Sequence, residues 1–269
     1  MSIRINISPC PNDTFMFHAM LHGLVDCEGE VFEAEFADIE QLNTQVITQQ
    51  PSVSKISCAI ISQIAERYAV LRSGAALGFG NGPLVVAAEP MDKNELEGKR
   101  VAMPGAHTTA YALMSRLFPE VSEYEHCIFH QVLPRVLSGE CQAGVLIHEE
   151  RFSFEKQGAV LVADLGREWE SRFKLPLPLG AIVVSRELPV ELQMKIDRIL
   201  ERSIQYAFAH PSVSRDFVCA HCRDLTPEVI DNHIKMFVNE YSLNIGADGR
   251  SAIRTLNNIN STTSIFIDE

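Results

Sequence analysis

Hydrophobic and polar positions along the chain follow two alternating periods. Ile3, Ile5 and Ile7 recur at every second residue, the mark of a strand with one buried face. Asp13 and Thr14 then offer a cap for a helix that runs through Phe15, Ala19 and Met20 and stops at Gly23. Val31 to Ala37 reads as a strand, and Ile39, Leu42, Val46 and Ile47 mark one face of a helix. Lys55 to Ile60 and Pro83 to Ala88 read as buried strands, with Ile61 to Ala69 helical between them.

Polar, acidic Met91 to Lys99 reads as a crossing segment, after which the pattern restarts. Arg100–Met103, His126–His130 and Gly144–His148 read as strands, with helices at Thr109–Phe118 and Leu133–Ser138 between them. Leu161–Leu165 and Gly180–Val184 complete the strands, and from Pro189 the pattern is helical until Ser264–Ile267. Strands alternating with helices predict an α/β protein with helices on both faces of a sheet. The restart near residue 92 and the helical tail predict two lobes. The expected division is 1–90 with 187–269 as a discontinuous first lobe, and 91–186 as an inserted second lobe.

Composition narrows the partners. The net charge is −12, and no segment gathers Lys and Arg into a stripe. Nucleic acid and anionic membrane both require clustered positive charge, so a small organic ligand is expected instead. Met1 to Met20 is interrupted by Pro9, Pro11, Asn12 and Asp13 and lacks the apolar run of a signal peptide. The seven cysteines form no regular framework, as expected of thiols in a reducing compartment. Both features lead to the expectation of a cytoplasmic protein.

In open α/β sheets, ligands sit beyond the carboxyl ends of the strands, and four segments of unusual composition fall there. Ser8-Pro9-Cys10-Pro11-Asn12-Asp13-Thr14 is a stiff turn with polar groups at a helix start, readable as a plain capped turn or as a binding loop. Gly105-Ala106-His107-Thr108-Thr109-Ala110 is a strand-to-helix turn whose N–H groups suit a carboxylate or phosphate, unless it is only a Thr cap; it lacks the Gly-Lys-Ser/Thr ending of a P-loop. His148 follows an apolar strand and is either a hydrogen-bonded structural residue or a general base near neutral pH. Lys55 and Ser57 project from one face of a strand, to hold a polar ligand or to line a solvated edge. His148-Glu149-Glu150 lacks the second His of a helical zinc site, and the single Cys219–Cys222 pair reads better as helix than as metal or redox motif.

Taken in order, Ser8-Pro-Cys-Pro-Asn-Asp-Thr-Phe15, Ser54-Lys-Ile-Ser57, Gly80-Asn-Gly-Pro-Leu84, Pro104-Gly-Ala-His-Thr-Thr-Ala110, Ile147-His-Glu-Glu-Arg-Phe152 and Leu175-Pro-Leu-Pro-Leu-Gly-Ala181 resemble the 1,4-dihydroxy-6-naphthoate synthases of the futalosine route to menaquinone. The resemblance implies a two-lobed, periplasmic-binding-protein-like (type II) fold with a central ligand cleft. It implies a carbon–carbon lyase that converts cyclic dehypoxanthine futalosine to 1,4-dihydroxy-6-naphthoate and dihydroxyacetone without a redox or metal cofactor. His148 is then the proton acceptor, and Lys55, Ile56, Ser57, Thr109, Ala110, Asn43 and Asp13 are the substrate contacts. Two positions depart from the pattern: Lys174 stands where Gly is expected, and Ile61 where an aromatic is common. Chorismate dehydratase on the same fold, a non-catalytic solute-binding protein and a ligand-sensing regulatory domain are the competing expectations.

Overall fold

Isoleucines on alternate residues make β1 (Ser2–Ile7), and a computed structural model that describes residues 2–222 and 225–269 places them in a large apolar core. Pro11 then opens α1 (Pro11–Leu21) in the first helical turn, where its missing N–H costs nothing. β2 (Val31–Phe36) follows, and a capping box between Asp38 and Gln41 starts α2 (Ile39–Thr48). β3 (Val53–Ser57), α3 (Ile61–Ile64), β4 (Tyr68–Val70) and β5 (Ala76–Gly78) are short; the strands are wholly buried, and α3 buries Ile61 and Ile64. Here the expected long strand and helix break up. β3 ends at Ser57 in a 3-10 turn, and the supposed helix Ile61–Ala69 stops at Ile64.

β6 (Leu84–Ala87) and β7 (Arg100–Met103) lead to α4 (Thr109–Leu117). β8 (Glu123–His126), α5 (Val132–Leu137), β9 (Ala143–Leu146) and β10 (Val160–Asp164) follow. The strand expected at His126–His130 lies earlier, and Phe129–Gln131 is a 3-10 turn. α6 (Leu165–Phe173) was not expected; the Asp164 carboxylate caps it by accepting from the Gly166 and Arg167 N–H groups. β11 (Leu177–Ser185) precedes the tail of α7 (Val190–Ala209), α8 (Arg215–His221), α9 (Pro227–Phe237), α10 (Glu240–Leu243) and α11 (Gly246–Asn257). The strand expected at Ser264–Ile267 is reduced to one bridge between Val70 and Phe266.

The chain divides into two compact units, residues 1–78 with 178–269 and residues 79–177. The junctions fall about ten residues before those expected at 90/91 and 186/187. The reason at the first is that β6 pairs with β9 and β10 in the second unit. Unit 1 holds a sheet in the order β2-β1-β3-β11-β4, with β5 paired to β11. β1 runs parallel to β2 and β3, while β11 runs antiparallel to β3 and β4. Unit 2 holds the order β10-β6-β9-β7-β8.

α1 has no solvent-exposed face: every residue from Pro11 to Met20 is buried. It packs on α7, α8 and α9, and Ser203 of α7 clips to it by donating to the Met16 carbonyl at 2.6 Å and accepting from the Met20 N–H at 3.1 Å. Ile5, Ile7, Met16, Ile182, Val184, Ile199 and Ile204 form the centre of that core. Unit 2 gathers a smaller cluster around Val86, Ala102, Val132 and Leu146. Among the described residues, no helix is long and apolar enough to cross a membrane.

Candidate active site

In unit 1 the polar groups converge where β1 gives way to α1. Asp13 does not cap the helix, whose N-cap is Cys10 without a side-chain bond. Its carboxylate is instead 0% exposed. Oδ2 accepts from the Ser8 N–H at 3.2 Å and the Ser8 hydroxyl at 2.7 Å, and Oδ1 from Asn12 Nδ2 at 2.8 Å and Lys55 Nζ at 2.9 Å. A buried carboxylate with this many donors is fully satisfied and holds the buried Lys55 amine in place.

Lys55 reaches Asp13 past Gly180, which pairs in register with Ser57. A Cβ on Gly180 would stand 2.9 Å from Lys55 Cε and 3.0 Å from the Ile56 carbonyl oxygen, so only glycine leaves room for the lysine stem. Ser57, two residues on and on the same face, is locked to α2. Its hydroxyl accepts from Asn43 Nδ2 at 2.9 Å, and its N–H donates to Asn43 Oδ1 at 2.8 Å. The structure therefore joins Asp13 to Lys55 and Asn43 to Ser57 along one face of β3, buried rather than at a solvated edge. Ile56 lies between them and sends its side chain to the opposite face, leaving its main chain as what it can offer a ligand.

Unit 2 carries the other predicted residues. The Thr108 hydroxyl accepts from the Tyr111 N–H at 3.2 Å and donates to the Gly105 carbonyl at 3.0 Å, so Thr108 is the N-cap of α4. Thr109 and Ala110 are its first two residues, both buried. Their N–H groups precede the helix's own hydrogen-bond register and carry its positive end, which favours a carboxylate.

His148 is not in a strand. β9 ends at Leu146, and His148 opens the 3-10 segment His148–Phe152 at φ 56, in the left-handed region that β-carbon-bearing residues avoid. Its ring meets Phe129 edge-on, centroids 5.1 Å apart. Arg151 anchors the segment: Nη1 donates to the Gly82 carbonyl and Nη2 to the Gly80 carbonyl, each at 3.1 Å. Gly82 in turn admits no Cβ, which would lie 2.3 Å from the Gly166 nitrogen. The Gly80–Leu84 and Ile147–Phe152 strings are thus two halves of one support.

Glu150 stands beside His148 with its Oε2 buried and, among the described residues, without a hydrogen-bond partner. Burial, and secondarily the Glu149 charge, push its carboxyl up to about 7, with His148 acting in the opposite sense. Sequence reasoning missed this residue, Arg151, and also His233 of α9, whose Nε2 lies 3.0 Å from Asn12 Oδ1. The signal for His233 was its position on the apolar face with Ile230 and Phe237.

Two of the buried cysteines are held by their surroundings. The Cys222 thiol donates to the Pro9 carbonyl at 3.1 Å, and burial pushes the Cys58 thiol up to about 12. Among the described residues, no three His, Cys, Asp or Glu side chains are grouped as a metal site requires.

Comparison with known proteins agrees with this arrangement of motifs. A family model described as menaquinone biosynthesis matches residues 3–261. A Thermus thermophilus protein named 1,4-dihydroxy-6-naphtoate synthase is 44% identical over 255 residues, covering 95% of this chain and 92% of that protein. A Streptomyces coelicolor protein of the same name is 37% identical over 261 residues, covering 95% and 91%. A crystal structure of an Archaeoglobus fulgidus protein superposes with a TM-score of 0.89 at 35% identity, covering 95% of each chain. The alkanesulfonate-binding protein of Xanthomonas axonopodis gives a TM-score of 0.67 at 12% identity, covering 88% of this chain and 84% of that one. The last likeness concerns the fold alone: a two-lobed α/β architecture of the periplasmic-binding-protein kind.

Proposed function

Since the chain belongs to the menaquinone biosynthesis family, we propose that it is a carbon–carbon lyase converting cyclic dehypoxanthine futalosine to 1,4-dihydroxy-6-naphthoate with release of dihydroxyacetone. The observation that carries the reading is the 44% identity over nearly the whole chain to a protein named for that product. The reaction gains an aromatic ring, so the protein's task is to place the substrate, remove a proton and exclude water.

His148 is the proton acceptor. Its left-handed backbone and the Phe129 ring fix the imidazole in one direction, and the Arg151 fork keeps the turn from relaxing. The start of α4 at Thr109 and Ala110 takes the substrate carboxylate, which answers how a protein of net charge −12 binds an anion. Lys55, the Ile56 main chain and Ser57 offer donors to the substrate's oxygen atoms, with Asn43 and Asp13 holding two of them in place. No metal or redox group takes part in this scheme, and the setting is the cytoplasm.

Neither the chorismate dehydratase reading nor the non-catalytic one is favoured by these relatives. The test is incubation with cyclic dehypoxanthine futalosine, followed by chromatography and mass spectrometry. Formation of 1,4-dihydroxy-6-naphthoate is expected, and so is its loss by about 10²–10⁴-fold in H148A, the usual worth of a general base. Unchanged substrate with folded wild-type protein would overturn the assignment.

A further inference from the structure

We infer that His233 is a positioning residue for the Lys55 ammonium, acting through Asn12 and Asp13; this rests on the reading that Lys55 meets the substrate. The geometry is a directed chain of buried hydrogen bonds. Lys55 Nζ donates to Asp13 Oδ1 at 2.9 Å, Asn12 Nδ2 donates to the same oxygen at 2.8 Å, and Asn12 Oδ1 lies 3.0 Å from His233 Nε2.

The proton positions follow from elementary chemistry. A carboxylate oxygen only accepts, so the Asn12 amide must turn its NH₂ toward Asp13. That leaves the amide oxygen facing His233, so Nε2 must carry a proton and donate. Every member is nearly sealed from water: Asn12 is 6% exposed, Asp13 0%, Lys55 5% and His233 1%. Solvent therefore cannot substitute for a missing donor.

His233 sits on the core face of α9 between Ile230 and Phe237, with its ring 4.6 Å from the Phe237 ring. It carries the influence of the C-terminal helices to the first turn of α1, more than two hundred residues earlier in the chain. Without its N–H, the buried Asn12 oxygen loses its donor, and the Asn12 side chain is no longer held from behind. The amide then shifts within its pocket and its bond to Asp13 Oδ1 weakens, which takes strength from one of the two donors on that oxygen. Asp13 then draws Lys55 more firmly, and the ammonium is withdrawn from substrate.

The experiment measures kcat and KM for cyclic dehypoxanthine futalosine, and Kd for 1,4-dihydroxy-6-naphthoate by titration, in wild type, H233L and H233Q. Glutamine places its amide nitrogen close to where Nε2 stood, whereas leucine fills the space without a donor. H233L is expected to raise KM and Kd by about tenfold, the worth of one hydrogen bond to a charged network. Its kcat should stay within about threefold, because His148 is untouched. H233Q is expected to restore KM. If H233L does not fold, H233N replaces it, since its shorter amide falls short of Asn12.

A double-mutant cycle with D13N separates positioning from packing. With Asp13 neutralised, the effect of H233L on KM should vanish. Additive effects, or equal losses in H233L and H233Q, overturn the inference. So does a wild type that turns over while H233L keeps its KM. A wild type without turnover overturns the proposed reaction and this inference together.

Discussion

Unit 1 and unit 2 each bury polar groups at their candidate sites, but they leave those groups in opposite energetic states. In unit 1 the Asp13 carboxylate is met by donors from Ser8, Asn12 and Lys55, and Asn43 and Ser57 satisfy each other. In unit 2 His148 is held in a left-handed backbone, and Glu150 keeps a buried oxygen without a partner among the described residues. The difference matches the tasks proposed for them. Groups that only bind work best already arranged, because reorganisation is then avoided when the ligand arrives. A group that must exchange a proton needs an environment that keeps its two protonation states close in energy. Unit 1 has the larger apolar core and a buried ion pair, while the strained turn of unit 2 is held by the Arg151 fork.

The sharpest break in this comparison is a pair of substitutions with opposite signs. H148G should lower turnover by about 10²–10⁴-fold, as loss of a general base does. It should also stabilise the protein by up to about 1 kcal/mol, since glycine tolerates the left-handed region that His148 occupies. D13L should do the reverse of that second effect, costing about 3–5 kcal/mol by leaving the Lys55 ammonium buried and unpaired. Adding K55M to D13L should recover most of the stability, because an apolar pair replaces an ion pair at little net cost. Chemical denaturation of the four proteins reads both signs; a stabilising D13L or a strongly destabilising H148G would erase the distinction between the units.

A smaller effect is a pH dependence that belongs to unit 2. Glu150 titrates at about 7 in the folded chain against 4.5 for an ordinary glutamate. Between those values the folded protein holds a proton that the unfolded chain has released, so this contribution favours folding below about 4.5 and is lost as pH rises to about 7. Its full size corresponds to about 3 kcal/mol, and partial screening reduces it to roughly 1–3 kcal/mol. E150Q keeps the shape without the proton, so stability measured from pH 4.5 to 7.5 should lose that downward slope relative to wild type. An identical slope in E150Q would assign the titration elsewhere.

The parts legible in the sequence were those whose periodicity survives burial on one side. Ile3, Ile5 and Ile7, the helix after Thr108, and α2 behind Asp38 all showed a face or a cap. Between Val53 and Gly78 the chain is buried on nearly every side, and a continuous apolar run cannot tell three-residue strands from a helix. α6 was missed because Leu165 and Trp169 are its only large buried side chains in a polar segment. The site residues were legible as motifs, but their partners were not. Asp13 read as a cap because an acid near a helix start usually is one, while its true partner Lys55 lies forty-two positions on. The strings around Gly80 and His148 resembled a known family before their connection through Arg151 was visible, since sequence shows types and spacing but not which carbonyl faces which guanidinium.

The least effect sharpens the point about strain. Lys174, one of two departures from the family's pattern, ends α6 at φ 55, where a glycine has no steric penalty. Its N–H still closes the helix on the Glu170 carbonyl at 3.0 Å, so the main chain is correct and only the side chain is misplaced. K174G should therefore stabilise the protein by about 0.5–1 kcal/mol, the left-handed penalty removed less the entropy glycine gains when unfolded. Turnover should be unchanged, because α6 and its end carry none of the candidate site residues. That outcome would separate two kinds of left-handed residue in one unit: strain at Lys174 that can be removed without loss, and strain at His148 that cannot. A fall in turnover in K174G, with stability gained, would instead make the end of α6 part of the catalytic support.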